Sequence, residues 1–250
     1  MRNIALRLSY DGTNYHGSQS QPNAITVQQV MEKAFSLLLK DNITLTFAGR
    51  TDAGVHAEMM VAHFDYQSTF DATNLVNRLN KFLPQDIAIQ LICPVIPTAH
   101  ARYDAVSRRY EYRCTINKTP FYNQLSTIIP ADIDVDAMNQ AAQLLLRTND
   151  FASFCKLHTD VKTTICKVVK AQWIQKDNML VFEIEADRFL RNMVRAIVGT
   201  ILDVGRHKLT LQQFQDIILA CHRTAAGQSA PAQALFLVNI DYPKSLFINE

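Results

Sequence analysis

Between residues 4 and 95 the hydrophobic period runs two, 3.6, two, two, 3.6, two, and a similar succession returns after residue 107. Ile4, Leu6, Leu8 and Tyr10 alternate with Ala5, Arg7 and Ser9, the pattern of a half-buried strand. A polar loop with Gly12 and Gly17 follows. Thr26 and Gln29 then form a capping box ahead of a helix carrying Val27, Val30, Met31, Phe35, Leu38 and Leu39. Residues 43–48 and 57–64 read as strands joined by a glycine-containing turn. Asp71 caps a helix through Leu75, Leu79 and Phe82 that Pro84 closes, and 87–95 is the next strand. This is the split βαβ order, β-α-β-β-α-β.

In the second half, 107–116 is a strand with Tyr110, Tyr112, Cys114 and Ile116 on one face. Asp134 caps a helix over 135–146, and 164–174 pairs with 180–186 around Lys176-Asp177-Asn178. A helix over 189–204 ends at Gly205, Thr210 and Gln213 cap one more, and 235–240 closes the series. The halves share no sequence identity, so the repeat is one of topology. The expected fold is α+β: two split βαβ (ferredoxin-like) halves, residues 1–104 and 105–250, forming a mixed sheet with a central cleft. A cleft at such a junction is a common place for a site.

Composition removes several classes. At 250 residues and 48% hydrophobic, with 25 basic against 23 acidic residues, the chain is too apolar and too balanced to be disordered. The net charge of +2 gives no overall attraction to nucleic acid, so any such attraction must be local. The cysteines, Cys93, Cys114, Cys155, Cys166 and Cys221, are odd in number and form no C-x-x-C pair, which points to a reducing compartment. No stretch approaches the roughly 18 apolar residues of a membrane span, so a soluble cytoplasmic protein is expected.

The most unusual segment is Gly49-Arg50-Thr51-Asp52-Ala53-Gly54-Val55-His56, a cation, an anion, two glycines and a histidine between two strands. Glycines allow a sharp turn and a close approach to a ligand. Asp52 can present its carboxylate there, with Arg50 nearby to hold it ionised, or the segment is a turn with an exposed salt bridge. Gly49 to Gly54 has P-loop glycine spacing, but Val55-His56 stands where Lys-Ser/Thr is required. His56-Ala57-Glu58 matches half of a zinc-deaminase signature, and the P-C-x-x-C half is missing.

Basic residues gather in three places. Arg102, Arg108, Arg109, Arg113 and Lys118 outweigh Asp104 and Glu111; Lys156, Lys162, Lys167 and Lys170 outweigh Asp160; Arg188, Arg191, Arg195, Arg206 and Lys208 outweigh Asp203. Arg108-Arg109-Tyr110-Glu111-Tyr112-Arg113 interleaves rings with cations, which suits phosphates and splayed bases as well as it suits a solvated strand edge. Arg195 borders the apolar stripe Leu190, Val194, Ile197 and Ile201, so it either faces a carboxylate or cleft or snorkels from a helix flank.

Together these segments resemble the tRNA pseudouridine synthase A family. The string 49–57 looks like its catalytic motif. Matches also run through Tyr10-Asp11-Gly12-Thr13-Asn14-Tyr15-His16-Gly17, Arg108 to Tyr112, Asp150 to Phe154, Phe189 to Gly199, and Ala230-Pro231-Ala232. Two positions depart: Ser18 stands where the family usually has an aromatic, and Ala234 where it usually has glycine. The resemblance implies a cofactor-free, metal-free isomerase, usually a homodimer, that converts uridine to pseudouridine at positions 38, 39 and 40 of the tRNA anticodon stem–loop. It implies that Asp52 is the catalytic aspartate and Arg50 the neighbouring motif arginine. It further implies that Tyr110 is the active-site tyrosine and Arg195 the cleft arginine that pairs with the aspartate. An RNA-binding module without activity and a zinc-dependent base deaminase are the alternatives. The intact Arg50-Thr51-Asp52 speaks against the first, since binding alone does not need that carboxylate.

Overall fold

The structure, a computed structural model, describes residues 2–156 and 162–248. Asp160, counted above in a basic cluster, lies outside the described residues. The chain is α+β and divides into two compact units: residues 1–106 with 237–250, and residues 107–236. No helix among the described residues is long and apolar enough to cross a membrane.

The first unit holds β1 (Arg2–Tyr10), α1 (Val27–Leu39), β2 (Thr46–Phe47), β3 (His56–Tyr66), α2 (Ala72–Phe82) and β4 (Ile87–Pro94). β1 is central, antiparallel to β3 on one side and β4 on the other, and β2 pairs with β3. Ile4, Leu6 and Leu8 share a buried face with Met60, Ala62 and Phe64, and Val27, Met31 and Phe35 of α1 are equally buried. Phe35 meets Phe64 edge to face, with ring centroids 5.2 Å apart. The Thr26–Gln29 capping box forms as expected, and Asp71 caps α2 through the Asn74 N–H.

The expected strand over 43–48 shrinks to two residues. The Ile43 N–H donates to Ser36 Oγ at 3.0 Å and the Leu45 N–H to Glu32 Oε1 at 2.9 Å. Side chains of α1 thus satisfy amides that a strand partner would otherwise have taken, while Ile43 and Leu45 stay buried.

The second unit holds β5 (Ser107–Thr115), β6 (Thr127–Ile128), α3 (Val135–Leu145), β7 (Val168–Lys176), β8 (Met179–Ala186), α4 (Met193–Gly205) and α5 (Leu211–Leu219). β8 pairs antiparallel with β5 and with β7, and β6 lies parallel to β5, so the pairing is mixed. β9 (Leu235–Asp241) begins in this unit and ends in the first. Asp134 caps α3, and the second capping box, Thr210 with Gln213, forms on α5.

α4 begins four residues later than its sequence pattern suggests. Asn192 has φ 65°, a left-handed conformation no right-handed helix contains, and its Nδ2 donates to Ser229 Oγ at 2.6 Å. Gly205 is the last helical residue rather than a residue beyond the end, and a Cβ there would sit 2.5 Å from Met138 Sδ of α3. Close packing of two helices explains that glycine. His207, at φ 56°, takes the left-handed position after the helix.

Glu111 shows how the basic strand β5 is stabilised. It sits opposite Glu183 on β8, a like-charge pair. Arg113 donates to Glu111 Oε2 at 2.7 Å, Lys176 reaches Oε1 at 3.0 Å, and Lys170 pairs with Glu183. Burial would raise the Glu111 carboxyl, but the hydrogen bonds and charges of Arg113 and Lys176 outweigh it and hold it below the ordinary 4.5. A folded-state value below the unfolded one gives stability that is present above the unfolded value and lost as pH falls through the folded value. Thermal melts from about pH 6 to about pH 3 should therefore show wild type losing Tm more steeply than Glu111→Gln, with the difference opening below about pH 4.5. Parallel curves would show that Glu111 does not govern the acid limb.

Candidate active site

Asp52 stands on a turn built by its neighbours. The Val55 N–H donates to Asp52 O at 3.2 Å, and Gly54, at φ 77°, occupies the left-handed position such a turn needs. The turn rests on the loop after β1. A Cβ on Gly12 would lie 2.0 Å from Val55 O, and one on Gly17 would lie 2.6 Å from Thr51 O. Both glycines are therefore there because backbone passes against backbone. The Gly54 N–H donates to Tyr15 O at 3.3 Å, and Tyr15 OH in turn donates to Asp86 Oδ1 at 2.6 Å. Tyr10 OH lies 2.9 Å from Thr51 Oγ1, with both residues buried. Asp52 is half-buried, on a backbone held from several directions.

His56 is 2% exposed and closes the same turn. Its Nδ1 lies 3.1 Å from the Gly12 N–H and 3.0 Å from Asp11 Oδ1. These contacts are alternatives: a neutral ring with a bare Nδ1 accepts from Gly12, and a protonated ring donates to Asp11. Burial would raise the Asp11 carboxyl, but bonds from Thr13 and then the His56 charge hold it below its ordinary value. Glu58 does not share His56's surroundings. Leu8 pairs with Met60 but Tyr10 with Ala57, so β3 carries a bulge that leaves His56 buried and Glu58 exposed. Among the described residues no three His, Cys, Asp or Glu side chains gather as ligands to one ion would.

Arg50 is exposed, and its guanidinium donates to Gln21 Oε1 at 3.3 Å. Two residues from Asp52 in sequence, it is directed to the loop after β1.

In the second unit Tyr110 is half-buried on β5, with the Phe189 ring edge-on at 5.1 Å and 85°. Phe189 leads into α4, where every residue is buried except Arg195 and Asp203. Arg195 Nε donates to Ala230 O at 2.7 Å, and the Ala230 N–H donates to Arg195 O at 2.9 Å. The segment it grips is itself secured: the Gly227 N–H bonds Thr200 Oγ1 at 3.1 Å, and Arg223 donates to Ala226 O, Gly227 O and Ser229 Oγ. Gly199 allows this approach, since a Cβ there would meet Gln228 O at 1.9 Å. Arg195 is thus a half-buried cation with its Nε fixed, and not a loosely snorkelling side chain.

A family model described as tRNA pseudouridine synthase matches residues 8–104 and 141–243. This chain belongs to the tRNA pseudouridine synthase family. It is 52% identical to the tRNA pseudouridine synthase A of Bacteroides fragilis, over 97% of each chain. It is 50% identical to the Parabacteroides distasonis protein of that name, over 99% of this chain and 98% of the relative. With the Chloroflexus aurantiacus protein of the same name it shares 38% identity over 98% and 91%.

The two departures within this tRNA pseudouridine synthase have clear structural settings. Ala234 is fully buried in a short 3-10 turn, Ala232–Ala234, and is not among the positive-φ residues, so an alanine fits there without strain. Ser18 is also fully buried, and its Oγ accepts the Thr51 N–H. In the sequence Ser18 stands out as a departure within the N-terminal loop, while Tyr10 and His56 carry no sign there that they support the turn. A buried polar residue near a functional loop is the available signal, but its burial is invisible until the fold is known. Of the β5 cations, Arg113 is committed to Glu111 and to the Phe236 ring, 3.9 Å from its centroid, so it is part of the unit's own packing.

Proposed function

We propose that this isomerase converts uridine to pseudouridine at positions 38, 39 and 40 of the tRNA anticodon stem–loop, with Asp52 as its catalytic carboxylate. The observation that carries this reading is the support built under one side chain. Gly12, Gly17, Tyr10, Tyr15 and His56 all brace the turn that presents Asp52. A carboxylate that merely decorated a surface turn would need none of them.

The reaction breaks the bond from uracil N1 to ribose C1′ and forms one from C5 to C1′. N1 gains a proton and C5 loses one, so the exchange is redox-neutral and needs no metal. Charge developing at the sugar, or an adduct with the ring, calls for a fixed anion, the role assigned to Asp52. The target base must leave its stack, and Tyr110 can hold it from one face. Arg195 and Arg50 are assigned to substrate binding, Arg50, being exposed, as a contact for backbone phosphate. A cytoplasmic homodimer is proposed on the family likeness, and light scattering of the purified protein tests the dimer.

The deciding experiment uses tRNA carrying tritium at uracil C5. Forming the new glycosidic bond must release that label to water, in step with pseudouridine found in the product. Release confined to tRNAs with uridine at 38, 39 or 40 is the expected result. Tight binding of such tRNA with no release would identify an inactive RNA-binding module instead.

A further inference from the structure

Ser18 is a polar side chain with no solvent exposure, one residue after the left-handed Gly17. Its Oγ accepts the Thr51 N–H at 2.9 Å, and lies 3.5 Å from Gly49 O, the limit of a hydrogen bond. Its own N–H points to Thr51 O at 3.4 Å. Both peptide groups flanking Thr51 are therefore held by this one residue, and the second of them is the peptide bond to Asp52. On its other side, Ser18 O accepts the Gln28 N–H at 3.0 Å, in the first turn of α1. The connection thus runs from a packed helix through Ser18 to the backbone that carries the carboxylate. We propose that Ser18 is a positioning residue for the reaction: its buried hydroxyl fixes the backbone of Thr51 and so the direction in which Asp52 points. This rests on the reading of Asp52 as the catalytic group.

The hydroxyl, not the volume, matters in this arrangement. Thr51 N–H is a buried donor whose acceptor is Ser18 Oγ, and buried donors are nearly always satisfied. Alanine would keep both backbone bonds of Ser18 and remove only the hydroxyl, with its bond from Thr51 N–H and its long contact to Gly49 O. The turn would keep its place in the fold but lose the constraint nearest Asp52. Misplacement of a reacting group by about 1 Å can cost on the order of 100-fold in rate.

The test compares Ser18→Ala, Ser18→Thr and Asp52→Asn in the full chain, by single-turnover tritium release, KM for tRNA and amide exchange at Thr51. Expected for Ser18→Ala is a kcat lower by about 10- to 100-fold, with KM within about twofold of wild type. Thr51 should exchange faster while the amides of β1 and β3 do not. Ser18→Thr keeps the acceptor and should recover most of the rate. A Ser18→Ala rate within about twofold of wild type, beside an inactive Asp52→Asn, overturns the positioning role and leaves Asp52 standing. Unchanged Thr51 exchange in the alanine variant overturns it too, whether or not the threonine variant folds. Equal loss in folded alanine and threonine variants assigns the effect to volume and overturns it. An active Asp52→Asn removes the reading of Asp52, and this proposal with it.

Discussion

Asp52→Asn is expected to lower kcat by at least about 1000-fold, with tRNA binding within about tenfold of wild type. Asparagine has almost the same shape, so the Val55 N–H to Asp52 O bond and the bracing from Gly12, Tyr15 and Thr51 should persist. What disappears is the negative charge. If that charge attacks carbon or faces a developing cation, a neutral amide does neither, and the loss falls on the chemical step. Binding draws mainly on phosphate contacts, which one carboxylate, itself an anion, does not make. Single-turnover tritium release with saturating enzyme isolates the step, and filter binding gives the affinity. An Asp52→Asn enzyme releasing label at near wild-type rate would remove Asp52 from the reaction.

Arg195→Ala is expected to cost about 100-fold in kcat, and Arg195→Lys to recover part of that loss. α4 should survive the change: the backbone bond from Ala230 N–H to Arg195 O remains, and the other side chains of the helix are buried except Asp203. The alanine variant loses the charge and the 2.7 Å bond from Nε to Ala230 O. Lysine restores the charge but not the planar fork or the Nε donor. Arg195→Gln separates the contributions, because its Nε2 keeps a donor at the depth of the arginine Nε but carries no charge. The expected order of kcat is wild type, lysine, glutamine, alanine, each measured beside a melting curve. Lysine no better than glutamine would assign Arg195 to holding the 226–230 segment and not to supplying charge.

Thr26–Gln29 and Thr210–Gln213 were legible because a capping box closes within three residues and needs nothing from elsewhere. The start of α4 was not, because Asn192 takes its left-handed conformation with a hydrogen bond to Ser229, 37 positions on. β2 was overestimated for a related reason. Its residues have strand character and are buried, yet Glu32 and Ser36 of α1 took the amides a ladder would have used. Arg50 is the clearest case in the site. Sequence adjacency suggested a partner for Asp52, while the fold gives its guanidinium Gln21, 29 positions earlier.

By itself the sequence determined the α+β class, the capped helices, the string from Gly49 to His56, and through that string the family. These are properties of short windows, where period, caps and turn glycines act over a few residues. Only the tertiary structure decided what holds Asp52. Ser18, Tyr10 and Gly12 reach the turn from 33, 41 and 44 positions away, through Thr51 N–H, Thr51 Oγ1 and His56 Nδ1. The physical reason is that a buried donor or acceptor must be satisfied, but chemistry does not prescribe which distant residue satisfies it. That choice follows from how β1, its loop and α1 pack against β3, and packing is a property of the whole unit.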